Sequence, residues 1–182
     1  RGRKLDIITQ SQTIDSFLEL KSDLWRLSYG FYILELVDSF TVENSENRPV
    51  FDLLLATLHW LCQSNNSEAV LRYFELHFLH HLGYRPQLRQ CVACNSPLKP
   101  VVNFFSASQG GILCPDCGYE DPVSRPLSVD ALKVLRLWQD CDYATAKRVK
   151  LKSQLSSELE HMLQEYITYV LQREVKSKSW LD

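Results

Sequence analysis

The sequence predicts a mainly α protein: a helical bundle interrupted by a small four-cysteine zinc module made of a short β-hairpin and two knuckles. Three observations predict it. Apolar residues recur with a helical period on both sides of the chain's centre. In the centre, Cys91, Cys94, Cys114 and Cys117 form two C-x-x-C pairs, separated by roughly twenty residues, the spacing of a structural zinc site. Around them, from about 85 to 125, Pro86, Pro97, Pro100, Pro115, Pro122 and the Gly110-Gly111 pair break helical order into loops and short strands. With 182 residues, 21.1 kDa and 45% hydrophobic residues, the chain can build one domain with a real core.

Residues 1–12, RGRKLDIITQSQ, alternate apolar and polar positions near Leu5, Ile7 and Ile8. They read as a linker or as the last strand of something upstream, and a chain that opens without Met, with Met162 as its only methionine, reads as one whose natural N-terminal part lies elsewhere. Residues 13–182 form the helical domain. From Thr13 to Phe40, Ile14, Phe17, Leu18, Leu24, Leu27, Phe31, Leu34 and Val37 recur at helical spacing, until TVENSENRP breaks the pattern. FDLLLATLHWLCQ makes a second helix that ends at SNN. Ser67 reads as the N-cap of AVLRYFELHFLHHLG, which Gly83 closes. Beyond the cysteine module, Ser128 caps VDALKVLRLWQDC, and Ala144–Lys150 suggests a short, turn-rich helix. Ser153 opens a long amphipathic helix with Leu155, Leu159, Leu163, Tyr166, Ile167 and Val170 on one face. The tail KSKSWLD carries two lysines and an exposed-looking Trp180.

Each knuckle turns two thiolates toward one ion, and the hairpin over FFSASQGG returns the second knuckle to the first. Four thiolates close a tetrahedron, whereas a catalytic zinc keeps a position open. The chain contains no His-x-Glu, which argues against a zinc deaminase. The alternatives are disulfides, redox pairs or a vestigial motif. Four thiolates on one divalent ion leave about −2 of charge. Arg85, Arg89 and Lys99 lie near it in sequence. They either offset that charge or form a patch facing phosphate.

Elsewhere the chemistry is sparse. His77, His80 and His81 share a helix face, but no thiol or carboxylate joins them at ligand spacing, so packed or solvated histidines are the plainer reading. Cys62 and Cys141 read as core thiols. Glu35 and Glu75 sit among apolar residues, where a buried carboxylate needs a cation, and Arg26 and Arg72 are the inter-helix partners on offer. No nucleophile elbow, phosphate-binding loop, dinucleotide fingerprint or catalytic carboxylate pair occurs. A formal charge of −2 excludes a chain that is basic overall. No run approaches the ~20 apolar residues of a membrane helix, and no secretory h-region opens the chain. Clustered thiols at metal spacing fit a reducing cytoplasm. The residues alone reach a helical binding protein with a structural zinc module.

The run AVLRYFELHFLHHLGYRPQLRQCVAC resembles the centre of the bacterial DNA repair protein RecO family. SYGFYILELVDSF, FSASQGGILCPDC, SRPLSVDALKVLRLW and YVLQREVKSKSWL resemble further stretches of the same family in the same order. The resemblance runs from about Lys4 onward. It implies a recombination mediator, not an enzyme, with an N-terminal OB-fold upstream of residues 1–12 and a helical, zinc-bearing part after it. RecO-like proteins bind single- and double-stranded DNA and anneal complementary strands. With RecR they help RecA replace single-strand-binding protein (SSB). Some members lack the cysteines, which implies a structural role for Zn2+ here. The implied setting is the bacterial cytoplasm and nucleoid, with no membrane and no small-molecule substrate.

DNA contact needs cations. The candidates are Arg85, Arg89 and Lys99 near the cysteines, the cluster Lys147, Arg148, Lys150 and Lys152, and Arg1, Arg3 and Lys4 at the entry. The acidic, apolar-ended SSB tail would need a cation-rimmed groove between helices. Arg72 with Tyr73 and Phe74 is the candidate rim. The competing reading is a zinc-stabilised protein–protein scaffold with no DNA binding of its own.

Overall fold

The computed structural model describes residues 9–41 and 46–172. Among the described residues eight helices run in chain order: α1 (Leu18–Lys21), α2 (Leu24–Phe40), α3 (Arg48–Gln63), α4 (Ser67–His81), α5 (Pro115–Glu120), α6 (Val129–Asp140), α7 (Tyr143–Ala146) and α8 (Ser153–Leu171). Three short strands, β1 (Asn103–Ser106), β2 (Gly111–Leu113) and β3 (Arg125–Leu127), form one antiparallel sheet in the order β2-β1-β3. The mainly helical class with a small cysteine-bearing insert is borne out. None of the described helices is long and apolar enough to cross a membrane.

Polar caps set the helix starts by satisfying N–H groups that lack an intrahelical acceptor. The Asp23 carboxylate accepts from Trp25 N and Arg26 N at 3.0 and 3.1 Å, which splits the long apolar stretch from Thr13 to Phe40 into α1 and α2. Asn47 caps α3 just ahead of Pro49. Asn66, one residue before the Ser67 read from sequence, caps α4 through Ala69 N at 3.1 Å. Gly83, at φ 86, takes the left-handed position after α4 that a side chain would strain.

α4 is the axis of the bundle. Ten of its fifteen residues are buried, and it packs against α2, α3, α6 and α8. α8 presents Leu159, Met162, Leu163, Tyr166 and Ile167 to the core, as its period predicts. α2 departs from expectation. It is apolar all round, and its buried positions are Ser28, Gly30, Tyr32, Ile33 and Leu36. Leu24, Phe31 and Leu34 on the stripe read from sequence lie outward instead, as do Ile14 and Leu18 before it. A helix with two apolar faces gives period arguments no means of choosing between them.

The ion-pair expectation changes in detail. Glu75 is fully buried, and its cation is Arg72 on the same helix at 3.1 Å. The inter-helix links are Tyr32 Oη donating to Glu75 Oε1 at 2.6 Å and Arg72 Nη1 at 3.3 Å from Glu160 on α8. Arg26 instead pairs with Asp23 and donates to the Cys62 carbonyl. Glu35 is half-buried on α2. The tail with Trp180, and Arg1, Arg3 and Lys4, lie outside the described residues.

Candidate metal centre

The insert between α4 and α6 is built to bring its two knuckles together. β1 pairs with β2 through Phe104↔Leu113, Phe105↔Ile112 and Ser106↔Gly111, and with β3 through Asn103↔Leu127, Phe104↔Pro126 and Phe105↔Arg125. Partners directly opposite one another share a sheet face. Phe105 therefore faces the bundle, with its ring edge-on to Tyr166 of α8 at 5.4 Å, and Arg125 beside it reaches Glu165. Phe104 faces the other way and packs on α5, where Tyr119 meets it edge-on at 5.0 Å.

The first knuckle is a tight turn closed by its own backbone. Asn95 N donates to Cys91 O and Cys91 N donates to Ser96 O, both at 2.9 Å, and Asn95 sits at φ 59, a left-handed conformation that asparagine tolerates. Val92 N bonds Ile112 O and Ile112 N bonds Gln87 O, so this knuckle is stitched to β2. The second knuckle begins α5: Cys114 is its N-cap, Pro115 its first residue, and Gly118 N donates to Cys114 O at 2.8 Å. Gly118 permits that approach, because a Cβ there would stand 2.3 Å from the Phe104 ring. Gly111 is confined likewise, between Val92 and the Gln87 carbonyl.

The result is one cluster. The Sγ atoms of Cys91, Cys94, Cys114 and Cys117 all lie within 4.8 Å of one another, and Cys94 and Cys114 are 3.8 Å apart. Sulfurs about 2.3 Å from one zinc ion in a tetrahedron stand about 3.8 Å from each other. None of the four is joined in a disulfide in this structure. Cys91 is buried, Cys114 and Cys117 are half-buried, and Cys94 is exposed. Their ionisation is uneven. The Cys94 thiol is pushed down to about 6, chiefly by the Ser96 hydroxyl 3.0 Å away. Burial raises Cys91, but N–H groups of Cys94, Cys114 and Ala93 outweigh it and leave the thiol below its usual value. Cys117 is pushed well up by hydrogen bonds with Cys114 and then Cys94. Four thiols this close cannot all ionise by themselves, and a divalent cation removes the conflict. The donor set is therefore one that could hold a metal ion.

The insert is fastened to α6 at its base. Arg136 Nε donates to Leu88 O at 2.7 Å and Gln139 Nε2 to Pro86 O at 2.9 Å. Arg85 and Arg89 both reach Asp140. Their charge is engaged by an aspartate, so the cysteines are not their nearest counter-charge. Lys99 is exposed on the loop before β1, where its carbonyl accepts from the Asn103 amide at 3.1 Å. Lys147, Arg148, Lys150 and Lys152 are exposed across the α7–α8 connection and form no ion pair with a described residue. The rim expected at Arg72, Tyr73 and Phe74 is overturned: they are 2%, 5% and 0% exposed and belong to the core. Glu75, Glu160 and the packing of α4 consume them, and a pattern of one Arg beside two aromatics does not reveal that in sequence. Sequence reasoning also missed α5 and β3. PDCGYE is too short for periodicity, and RPL carries a proline that sequence rules would admit only at a sheet edge, where β3 lies.

The family profile described as Recombination protein O C terminal matches residues 21–179. A DNA repair protein RecO from Dehalococcoides mccartyi (strain 195) is 42% identical over 182 residues, spanning 100% of this chain and 72% of that protein. Proteins of the same name from Roseiflexus sp. (strain RS-1) and Symbiobacterium thermophilum are 39% and 37% identical. They span all of this chain and 64% and 73% of their own lengths. The chain belongs to the RecO family of DNA repair proteins.

Proposed function

We propose that this chain is the helical, metal-bearing part of a RecO-type recombination mediator, a binding protein of the bacterial cytoplasm with no reaction of its own. In this reading residues 1–12 lead out of an N-terminal OB-fold domain. The whole protein binds single- and double-stranded DNA, anneals complementary strands and, with RecR, assists RecA onto SSB-coated single strands. The observation that carries it is the family match over residues 21–179 together with 42% identity to a named DNA repair protein.

Zn2+ is the ion we assign to Cys91, Cys94, Cys114 and Cys117. Four thiolates suit zinc and close its coordination sphere, so the site braces the β-sheet and α5 against the bundle. Of the cationic clusters, the stretch Lys147, Arg148, Lys150 and Lys152 suits phosphate best, because it forms no salt bridge with a described residue, while Asp140 competes for Arg85 and Arg89. That competition is also what favours a second reading, in which the zinc module serves protein contact and DNA binding rests on the OB-fold.

The test is single-stranded DNA binding by this chain at low and moderate salt, with and without a zinc chelator. We expect weak binding that falls steeply with salt. Replacing the four cations at 147–152 with Ala should reduce the salt slope by roughly one per lost phosphate contact. An unchanged slope would remove DNA from this surface. Binding lost on chelation alone would place DNA on the zinc module.

A further inference from the structure

The four cysteines differ in access, and the difference has a chemical consequence. Cys91 is 0% exposed beneath the first knuckle, whereas Cys94 faces solvent at the outer end of the same knuckle. Across the two knuckles, the Cys94 Sγ stands 3.8 Å from the Cys114 Sγ. A disulfide bond is about 2.05 Å long, so the two sulfurs need to close by roughly 1.8 Å. Cys62 and Cys141, the remaining thiols, are half-buried on the bundle.

We propose that Cys94 is the oxidation site of the module, and that a hydroperoxide converts Cys94 and Cys114 into a disulfide joining the two knuckles and expelling the metal. The proposal rests on the zinc reading above only for its last clause. In the first step the Cys94 thiolate attacks a peroxide oxygen. The S–O bond forms, the O–O bond breaks, sulfur is oxidised by two electrons and the peroxide leaves as an alkoxide or hydroxide that takes a proton from water. In the second step the Cys114 thiolate attacks the Cys94 sulfenic sulfur. The S–S bond forms, the S–O bond breaks, and hydroxide leaves and is protonated. Two thiolates, one hydroperoxide and two protons thus yield one disulfide, one alcohol or water, and one further water. An ion left with two of its four thiolates is held far less well. The link retains what the metal provided, a tie between residues 91–94 and residues 114–117, so the module closes in either redox state.

The experiment treats the chain with hydrogen peroxide after its zinc content has been measured. Disulfides are mapped by non-reducing peptide mass spectrometry, sulfenic acid is trapped with a dimedone-type reagent, and released zinc is read with a chromophoric chelator. We expect Cys94 to oxidise about tenfold faster than Cys62 or Cys141, as its exposure predicts. We also expect a Cys94–Cys114 disulfide, one zinc released per disulfide, and recovery of zinc binding after thiol reduction. In Cys114→Ser, sulfenic acid should accumulate at Cys94. First oxidation at Cys62 or Cys141 would overturn the proposal, as would a link inside one knuckle, Cys91 to Cys94 or Cys114 to Cys117. An untreated chain without zinc would instead sink the metal reading, and the mapped disulfide would still decide the oxidation site.

Discussion

Tyr32→Phe isolates one bond in the buried network that joins α2 to α4. The ring stays, so packing around it is kept and only the hydroxyl is lost. That hydroxyl donates at 2.6 Å to Glu75 Oε1, where Tyr32 is 1% exposed and Glu75 0%. Hydrogen bonds to charged groups contribute about 1.5–3 kcal/mol, and water cannot replace this one at such burial. We therefore expect a loss of about 2 kcal/mol. For a chain of this size that corresponds to a fall in Tm of about 4–8 °C. Urea unfolding is the assay, with the midpoint moving and the m-value unchanged. A double-mutant cycle with Glu75→Gln should give a coupling of at least ~1 kcal/mol. The alkaline limb adds a second readout. Burial first and the Glu75 charge second hold the Tyr32 phenol well above its usual value, and burial pushes Tyr73 up to about 12. Unfolded phenols ionise near 10, so the unfolded chain releases these protons first. The stability the two phenols provide is whole below pH 10 and is lost as pH climbs past it, for Tyr73 by about pH 12. Tyr32→Phe should make that loss shallower. A stability change under about 0.5 kcal/mol, or an additive cycle, would refute the view that the phenol sustains the Glu75 carboxylate.

Arg72→Met should cost more, about 3–5 kcal/mol, because it removes the guanidinium beside a buried carboxylate, and urea unfolding measures it. Gly118→Ala sets a Cβ 2.3 Å from the Phe104 ring. It should weaken zinc at least tenfold in competition against a chromophoric chelator, while the helical circular dichroism holds. On the acid side, burial lowers the His77 and His81 imidazoles. The unfolded chain therefore takes up protons first, and their contribution, whole above about pH 6.5, is lost as pH falls through the folded values. A Tm series between pH 8 and pH 5 should decline, and a flat series would count against the burial of His77.

The cysteine spacing foretold the cluster, and the periods of α4, α6 and α8 foretold the helices, because each depends on residues near one another in sequence. What failed depends on neighbours distant in sequence. Arg72 between two glutamates is indistinguishable by pattern from a groove-rim arginine until α8 supplies Glu160. The side of α2 that faces inward is decided by α4, through Glu75 and the Phe40–Phe78 ring contact, and not by any period of its own. Ser128 shows the limit from the other direction. It was legible as the cap of α6, and its hydroxyl does accept from Ala131 N at 3.1 Å. Nothing local announces that Glu158 of α8 in turn receives both the Ser128 hydroxyl and its backbone N–H.

The base of the insert also bears on what loss of the metal can undo. The carbonyls of Pro86 and Leu88 are held by Gln139 and Arg136, side chains of a helix that packs on α4 and α8 of the bundle. Small zinc domains commonly fold only as they bind, so their loading waits on a chain search. Here the segment that enters the first knuckle is also tied to α6 by bonds that involve no cysteine. Unloading the metal should accordingly leave the bundle's amide exchange untouched.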